Sequence, residues 1–318
     1  MEGQFLSCDW GTSSFRLALV DVGLGEAVVS RSTPDGIGVL FRHWKAENEA
    51  EDRLTFFLRY LGQQVEVLRQ EFGSDFSAEK ILISGMASSS IGMRELPYAD
   101  LPFSLEGENM VAEEIFLPEL CPYPVKLISG IKSDDDVMRG EETQMLGLRD
   151  RIGDETTLCI LPGTHSKHIV VERGKITGFR TCMTGEVFQL LAKQSILAAS
   201  VGEEKGWDEA AFREGVIRAK DRPLLQALFS VRTGNLFGKR DHTQGYHYLS
   251  GLLIGSEIAG LKINPSYTII LSAPEKMRQA YVLALDLLGY GNRLKTLSSE
   301  ENDRLSFRGH AQVIRSVY

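Results

Sequence analysis

The chain has 318 residues and 43% hydrophobic content, which is enough to bury the cores of two domains rather than one. Lys and Arg number 35 against 43 Asp and Glu, so the net charge is −8, and no dense basic run occurs. Nucleic acids and anionic membranes are therefore not expected as partners, because they require concentrated positive charge; a small anionic substrate needs only one or two local cations.

The first half of the chain begins with a predicted three-stranded meander. Apolar runs flank the turn DWGTSS at residues 9–14, and a third strand follows over 26–32. The next predicted elements are a helix over 49–72 and buried strands over 80–84 and 125–129. A helix is then predicted over 138–148, because the acidic run just before it suits a helix N-terminus.

The second half of the chain repeats this beginning. The turn LPGTHS at 161–166 also lies between two apolar runs, and a third strand follows the hairpin signal ERGK. Helices are predicted over 185–199, 207–219, 224–232 and 245–261. The chain ends with a predicted strand over 267–272, a helix over 276–288, a strand over 293–297 and a helix over 300–317.

Strands mixed with helices in both halves predict a layered α/β protein. The polar stretch 149–155 separates a predicted helix from the second meander, and no long linker or low-complexity tract is present. We expect the boundary in this stretch, with domains over 1–152 and 153–318. Whether the last helix packs back on the first domain is left open.

The repeated Gly-Thr-x-Ser turn suggests phosphate binding. Glycine lets the backbone approach a ligand closely, and consecutive N–H groups with Thr and Ser hydroxyls form a cup of donors for phosphate oxygens. A single turn of this kind is usually structural, because these residues are common in turns. Two of them, each within a matching meander, predict two related domains that face each other, each with a phosphate-binding hairpin at the cleft.

Other nucleotide and catalytic motifs are missing from the sequence. The segment GNLFGKR at 234–240 has three spacer residues where a Walker A loop needs four. The segment 36–41 lacks the third glycine of a dinucleotide fingerprint, and no GxSxG nucleophile elbow occurs. His165 and His168 are three residues apart in a strand or turn and so face opposite sides, which argues against a metal pair.

The cysteines and the N-terminal segment favour a cytoplasmic protein. Cys8, Cys121, Cys159 and Cys182 are far apart and form no CxxC pair, so neither a zinc ribbon nor a redox motif is predicted, and reduced thiols fit the cytosol. The segment MEGQFLSCDWG has no signal-peptide pattern, and no stretch reaches the ~18 apolar residues of a membrane helix.

Several motifs resemble those of the 2-keto-3-deoxygalactonate kinases (2-dehydro-3-deoxygalactonokinases) within the actin-like sugar kinase superfamily. The specific ones are MRGEETQ, within 136–144, and LPGTHSK at 161–167. DWGTS, MTGE and SGLLIG add to the resemblance, which runs from about residue 5 to residue 255. It implies two actin-like (ribonuclease H-like) domains with a cleft between them, each a mixed sheet that starts with a meander and is flanked by helices.

The resemblance also implies an activity. We expect ATP-dependent phosphorylation of 2-dehydro-3-deoxy-D-galactonate to its 6-phosphate, in galactonate catabolism, with Mg²⁺ as cofactor. Asp9 is expected to orient Mg²⁺ and its waters. The catalytic base is expected near the start of the helix before the second hairpin, where Glu141 is favoured and Asp136 is the alternative.

Phosphate and nucleotide contacts are expected from both halves of the chain. The first turn would supply Gly11, Thr12 and Ser13, and the second Gly163, Thr164, Ser166 and Lys167. Lys167 is equally well explained as a solvated strand residue. Further nucleotide contacts are expected at Gly251, Ser272 and Ala273, although the superfamily usually has glycines where this chain reads SAPE at 272–275.

The carboxylate of a sugar acid is best held by a forked guanidinium. Arg139 is favoured because it lies inside the specific motif, with Arg16 and Arg94 as further candidates, and Arg180 is also considered. Ser88 and Ser89 follow a buried strand and are expected either to contact sugar hydroxyls or to cap a helix.

Two alternatives to this activity stay open. Ser90 and Met93 stand where the family often has Arg and Trp, so another sugar or sugar acid is the first alternative. The second is a non-catalytic nucleotide-binding regulator, against which Asp9, Glu141 and both Gly-Thr turns argue. The expected partners are the sugar acid and ATP, and a homodimer is left open.

Overall fold

The structure, a computed structural model, describes residues 3–47, 49–261, 264 and 266–316. Two units can be distinguished. Unit 1 contains the described residues up to Asp154, the segment Glu172–Gly178 and the chain from Asp303 onward, and unit 2 contains Glu155–Val171 and Phe179–Asn302.

The first half of the chain contains ten strands and three helices among its described residues. The strands are β1 (Gln4–Trp10), β2 (Phe15–Asp21), β3 (Glu26–Thr33), β4 (Ile81–Gly85), β5 (Ala99–Asp100), β6 (Phe103–Ser104), β7 (Ala112–Ile115), β8 (Val125–Ile128), β9 (Ile131–Lys132) and β10 (Val137–Met138). The helices are α1 (Ile37–Glu47), α2 (Arg53–Phe72) and α3 (Glu141–Leu148).

The second half contains five strands and seven helices within the described part of the chain. The strands are β11 (Thr157–Leu161), β12 (Ser166–Glu172), β13 (Lys175–Cys182), β14 (Thr268–Leu271) and β15 (Leu294–Thr296). The helices are α4 (Thr184–Gln194), α5 (Glu209–Asp221), α6 (Leu224–Leu236), α7 (His242–Ala259), α8 (Glu275–Leu287), α9 (Ser299–Asp303) and α10 (Leu305–Arg315).

Unit 1 is built on a mixed sheet of order β3-β2-β1-β4-β8-β7. The strands β1, β2 and β3 form the antiparallel meander, whereas β4 pairs parallel with both β1 and β8. The strands β10, β9 and β5 form a separate, smaller sheet. The predicted first meander and both predicted buried strands are therefore present.

The helix α2 covers the core of unit 1 with one apolar face. Its start is set by Asp52, whose side chain accepts a hydrogen bond from the Thr55 N–H at 3.0 Å, and its end by Gly73, at φ 98°. The buried residues recur at helical spacing, as Phe57, Leu58, Leu61, Val65 and Leu68. Asp52 explains why the helix starts four residues later than predicted.

The predicted helix start at residue 138 was wrong. Residues 137 and 138 form β10, which pairs antiparallel with β9, and α3 begins only at Glu141. Gly140 precedes it at φ 107°, a conformation that interrupts the helix and that other residues rarely adopt. The acidic run 134–136 therefore precedes a strand, not the first turn of the helix.

The last helix, α10, belongs to unit 1 and contacts α3 through backbone. A Cβ on Gly147 would lie 2.0 Å from the Leu305 carbonyl oxygen, and one on Gly309 would lie 1.9 Å from that of Thr143. The two helices therefore touch at positions that only glycine allows. The predicted terminal helix is divided into α9 and α10, and its predicted last residue, Val317, lies outside the described residues.

Unit 2 repeats the plan of unit 1. Its meander is β11-β12-β13, apart from the hairpin tip Glu172–Gly178, which is part of unit 1. β14 pairs parallel with β11 and with β15. The core of helices beside this sheet is held by close contact between α5 and α7. A Cβ on Gly251 would lie 2.2 Å from the Phe212 carbonyl oxygen, and one on Gly215 would lie 2.3 Å from that of Tyr248.

Some elements were not predicted. These are the helix α1 and the short strands β5, β6, β7, β9 and β10, which are two to four residues long. Such strands are too short to show an alternating pattern. Within the described residues, no helix is both long and apolar enough to span a membrane.

Replacing Gly251 with Ala should destabilise the protein by about 1–3 kcal/mol, because the new Cβ would force α7 away from the Phe212 carbonyl. Gly260→Ala is the matched control: Gly260 ends the same helix at φ −71°, with the nearest atoms at 3.4 Å. Its stability should stay within about 1 kcal/mol of wild type. Urea unfolding followed by fluorescence measures both, and equal stability of the two variants would refute this packing.

Candidate functional site

The carboxyl ends of the parallel strands of unit 1 meet at one edge of its sheet. β1 and β4 are in register, with Asp9 opposite Ser84 and Trp10 opposite Gly85. Ligands of open α/β sheets bind at this edge, outside the carboxyl ends of the strands. Asp9, the first Gly-Thr turn and the loop after β4 therefore lie together at the edge where a ligand is expected.

The first Gly-Thr turn is held by the start of α1. The turn is closed by the Gly11 N–H, which donates to the Ser14 carbonyl oxygen at 2.9 Å, and the Gly38 N–H donates to the Thr12 carbonyl oxygen at 2.9 Å. A Cβ on Gly36 would lie 2.4 Å from the Ser13 nitrogen. Thr12 and Ser13 are nevertheless exposed, and the Thr12 carbonyl oxygen is occupied by the Gly38 N–H.

The second Gly-Thr turn is held in the same way by the start of α4. The Glu186 N–H donates to the Thr164 carbonyl oxygen at 3.0 Å. A Cβ on Gly185 would lie 2.5 Å from the Gly163 carbonyl oxygen. In each unit, then, the helix that follows the meander places a glycine against the turn and donates one N–H to its threonine.

Asp9 lies in an environment with opposing electrostatic effects. Burial raises the pKa of its carboxyl group, and Glu141 adds to this rise. Arg16, directly opposite on β2, and a 3.4 Å hydrogen bond from the Ser306 hydroxyl lower the pKa. Arg16, Glu141 and Ser306 are therefore all close enough to influence Asp9.

A series of close backbone contacts brings Glu141 to this edge. A Cβ on Gly140 would lie 3.2 Å from the Gly85 Cα, and one on Gly85 would lie 2.7 Å from the Trp10 carbonyl oxygen. Both glycines have positive φ angles, 107° and 92°. The start of α3, and with it Glu141, is thereby packed against the end of β1.

Asp136 lies at the other end of the β9–β10 hairpin. Its Oδ1 accepts a hydrogen bond from the Val137 N–H at 2.7 Å, and its backbone closes a turn with Ser133. The Glu141 Oε2 instead accepts from the Arg139 N–H at 3.0 Å, at the end next to Gly85. The geometry thus brings Glu141, the favoured candidate for the base, into the range of Asp9.

Arg139 and Ser88 form a contact on the same side of unit 1. The Arg139 Nη1 donates to the Ser88 carbonyl oxygen and to the Ser88 hydroxyl, both at 2.6 Å, and the guanidinium lies 4.1 Å from the centre of the Tyr98 ring. The Arg139 Nε is buried without a hydrogen-bond partner among the described residues. Such a donor is costly to leave unpaired and is suited to a carboxylate ligand.

The other predicted substrate residues have partners of their own. Arg94 forms an ion pair with Glu113 at the surface, and Arg16 faces Asp9. The Ser89 hydroxyl donates to the Met86 carbonyl oxygen at 2.7 Å, which caps the short helical turn after β4. Of the five predicted substrate residues, the structure brings Arg139 and Ser88 into direct contact.

Five of the predicted nucleotide residues of unit 2 are buried: Ser166, Lys167, Gly251, Ser272 and Ala273. The Ser166 hydroxyl bonds to that of Tyr281 at 2.8 Å, and the Ser272 hydroxyl donates to Asn302 at 2.7 Å, while Ala273 follows β14 at the same sheet edge as the second turn. Lys167 is also buried, with its Nζ 3.5 Å from the His165 carbonyl oxygen. The exposed part of the second turn is Thr164 and His165.

Comparison with known proteins decides the family. The sequence profile of 2-keto-3-deoxy-galactonokinase matches residues 9–307. The 2-dehydro-3-deoxygalactonokinase of Escherichia coli (strain K12) is 30% identical over 301 residues, which is 91% of each chain. The chain belongs to the 2-keto-3-deoxy-galactonokinase family. A relative from Rhizobium meliloti (strain 1021), assigned provisionally to the same activity, is 34% identical over 266 residues, covering 81% of this chain and 80% of its own.

A solved structure supports the family assignment. The crystal structure of a protein from Sinorhizobium meliloti, provisionally described as a 2-dehydro-3-deoxygalactonokinase, superimposes with a TM-score of 0.79 at 28% identity. The match covers 98% of this chain and 99% of that one. The predicted family and the predicted α/β fold with actin-like units are therefore confirmed.

Sequence reasoning missed several residues of this kinase family member that shape the site. Gly36, Gly38 and Gly185 clamp the two turns, and Ser306 reaches Asp9 from the last helix. The motif MTGE contains Gly185 and could have indicated the contact of this glycine with the second turn. Ser306 lies far from Asp9 in sequence, so no local pattern identifies it.

Glu142 is a second unpredicted feature of the site. It is fully buried beside Glu141, and burial, followed by the charge of Glu141, raises its pKa to about 8. Its Oε2 accepts from the Gly140 N–H at 2.7 Å and its Oε1 is 3.1 Å from the Thr143 hydroxyl. Near neutral pH this carboxyl group is mostly protonated and uncharged.

Replacing Glu142 with Gln should flatten the pH dependence of stability. The pKa of Glu142 in the folded protein, about 8, is higher than its ordinary value of 4.5. Protonation of Glu142 therefore contributes its full stabilisation below pH 4.5, and this stabilisation is lost as the pH rises to about 8. The loss is at most about 1.4 kcal/mol per pH unit, and Gln cannot ionise. Urea unfolding at several pH values from 5 to 8 measures it.

The exposed Glu66 on α2 supplies the control, since Glu66→Gln should keep the slope of the wild type. If the free energy of unfolding of Glu142→Gln falls with rising pH as steeply as that of the wild type, Glu142 does not hold a proton in the folded protein.

Proposed function

We propose that this protein is an ATP-dependent kinase that converts 2-dehydro-3-deoxy-D-galactonate to its 6-phosphate, in galactonate catabolism. Family membership supplies the activity and ATP as the co-substrate. The observation that carries the mechanism is the placement of Glu141 and Asp9 at the sheet edge where the first clamped Gly-Thr turn exposes its polar groups.

The two Gly-Thr turns are proposed to bind the phosphates of ATP. In both, the threonine carbonyl is occupied by an N–H from the clamping helix, at 2.9 Å and 3.0 Å. The hydroxyls of Thr12, Ser13 and Thr164 are exposed and are suited to phosphate oxygens. Because the turns are already fixed by glycine contacts, ATP would not have to order them on binding.

In the proposed transfer, Glu141 acts as the base. The attacking hydroxyl oxygen forms a bond to the γ-phosphorus while the bond from that phosphorus to the β–γ bridging oxygen breaks, and ADP leaves with the electron pair. The Glu141 carboxylate accepts the hydroxyl proton. Glu141 is the first residue of α3, and its Oε2 accepts a hydrogen bond from the Arg139 N–H at 3.0 Å.

Asp9 fits the proposed role toward Mg²⁺. Among the described residues, its carboxylate accepts one hydrogen bond, from Ser306 at 3.4 Å, so acceptor positions remain for a metal ion or its waters. No cluster of three or more acidic, His or Cys ligands occurs within the described ranges, and Mg²⁺ is often held by one carboxylate plus phosphates. When bound, the ion would neutralise phosphate charge.

The two units are proposed to have different roles. Arg139, with its unpaired Nε, would hold the sugar-acid carboxylate in unit 1, where Ser88 orients its guanidinium. Nucleotide binding is assigned to unit 2, through the turn at Thr164 and the segment Ser272–Ala273 at the end of β14. The boundary between residues 152 and 153 is proposed as the border between these two roles.

The cytoplasmic localisation of the enzyme stays a prediction. It rests on thiols that are not joined in disulfides, as for Cys8, Cys121 and Cys159, because disulfides are rare in the cytosol. A homodimer stays an open prediction.

The substrate prediction is tested by ADP release on a panel of 2-keto-3-deoxy sugar acids and plain hexoses. We expect turnover on 2-dehydro-3-deoxy-D-galactonate to exceed turnover on any hexose by at least about a hundredfold. The reason is that a hexose has no carboxylate to bind the Arg139 guanidinium. Turnover on hexoses alone would overturn the sugar-acid assignment, and ATP binding without turnover would favour the regulator.

The choice of base is tested by Glu141→Gln against Asp136→Asn. Glu141→Gln should lower kcat by about a hundredfold or more, since general-base catalysis contributes about 10²–10⁴. The Kd for ATP, measured by calorimetry, should change less than about twofold, because an amide of the same shape replaces the carboxylate. Asp136→Asn should keep kcat within about threefold, and the reverse pattern would move the base to Asp136.

A further inference from the structure

A buried cluster of polar side chains lies next to the second Gly-Thr turn, and the proposed mechanism does not use it. Glu257 on α7 is its centre. The Glu257 Oε1 is 2.7 Å from the His168 Nε2, and the Oε2 is 2.8 Å from the Tyr281 hydroxyl and is also bonded to the Thr184 hydroxyl. The side chains of His168 and Glu257 are only 3% and 1% exposed.

The hydrogen bonds of this cluster have a defined direction. A carboxylate only accepts, so His168, Thr184 and Tyr281 all donate to Glu257. The Tyr281 hydroxyl has one proton, which it gives to Glu257. The Ser166 hydroxyl, 2.8 Å away, must therefore donate to the Tyr281 oxygen.

The cluster reaches both flanks of the second turn. Ser166 is the first residue of β12, directly after the turn, and His168 is two residues further along the same strand. Thr184 is the first residue of α4, and the next two residues are the ones that clamp the turn, Gly185 by its contact with Gly163 and Glu186 by its bond to Thr164. Glu257 thus connects the strand that leaves the turn with the helix that holds it.

Stability alone does not account for a cluster of this kind. Burying a carboxylate has a large desolvation cost, and well-packed apolar side chains of the same volume are often as stabilising. Fully bonded polar networks do fix side chains in one arrangement, and groups behind a ligand site commonly orient the residues that touch the ligand. The position behind the second turn favours that role here.

We propose that Glu257 is a positioning residue for ATP binding, which fixes the second phosphate turn by holding its two flanks through Tyr281 and Thr184. The proposal rests on the function proposed above. It gives Ser166 a role different from the predicted phosphate ligand: its proton is directed inward to Tyr281, so Ser166 anchors the turn, and the phosphate contacts are left to Gly163 and Thr164.

Tyr281→Phe tests the proposal, because it removes one hydroxyl and cuts the link between Glu257 and Ser166 while keeping the buried ring. We expect the Kd and KM for ATP to rise about fivefold or more, while the KM for the sugar acid stays within about twofold. Thr184→Val cuts the other flank with little change of shape and should also raise the Kd for ATP, so the test remains decisive if Tyr281→Phe folds poorly.

Tyr248→Phe is the matched control. Tyr248 is a buried tyrosine of unit 2 whose hydroxyl is 2.7 Å from that of Ser230, away from the Glu257 cluster. It should lose stability like Tyr281→Phe but keep the Kd for ATP of the wild type. If Tyr281→Phe and Thr184→Val both bind ATP like Tyr248→Phe, the proposal is overturned. If the wild type itself does not bind ATP, the proposed function fails first.

Discussion

Backbone contact at glycine is the constraint on which both candidate phosphate sites depend. Gly36 and Gly185 bring the start of a helix so close to a Gly-Thr turn that a single Cβ would lie 2.4 Å or 2.5 Å from backbone atoms. The helix can then donate an N–H to the threonine carbonyl, at 2.9 Å or 3.0 Å, which leaves the outer side of the turn to a ligand. The same solution occurs in both units, as expected of two related domains that hold the same kind of group.

The carboxyl groups at the edge of unit 1 illustrate how neighbouring positions differ in chemistry. Glu142 is buried and keeps its proton to about pH 8, whereas its neighbour Glu141 is at the helix start and close enough to raise the pKa of Asp9. Two glycines with positive φ angles, Gly85 and Gly140, make this approach possible. Because Glu142 is protonated near neutral pH, it adds no negative charge beside Glu141 and Asp9.

The sequence predicted the parts of the fold that have a local signal. Both meanders and most of the helices followed from apolar periodicity, and the family followed from its motifs. The helix α3 was started too early because Gly140 at positive φ, which ends the β9–β10 hairpin, has no local pattern. Gly36 and Gly38 were considered only as an incomplete dinucleotide motif, although they clamp the first turn. The direction of the Ser166 hydroxyl depends on Tyr281, which is 115 residues away, so the sequence could not reveal it.

Both Gly-Thr turns are proposed to bind the phosphates of ATP through backbone and hydroxyl groups that are already in place. Backbone amide NMR of the whole protein, titrated with a non-hydrolysable ATP analogue and Mg²⁺, measures it most directly. If both turns bind the same triphosphate, the amide resonances of Gly11, Thr12, Gly163 and Thr164 all shift, with one common Kd. Resonances of either turn that stay unmoved at saturation would contradict it.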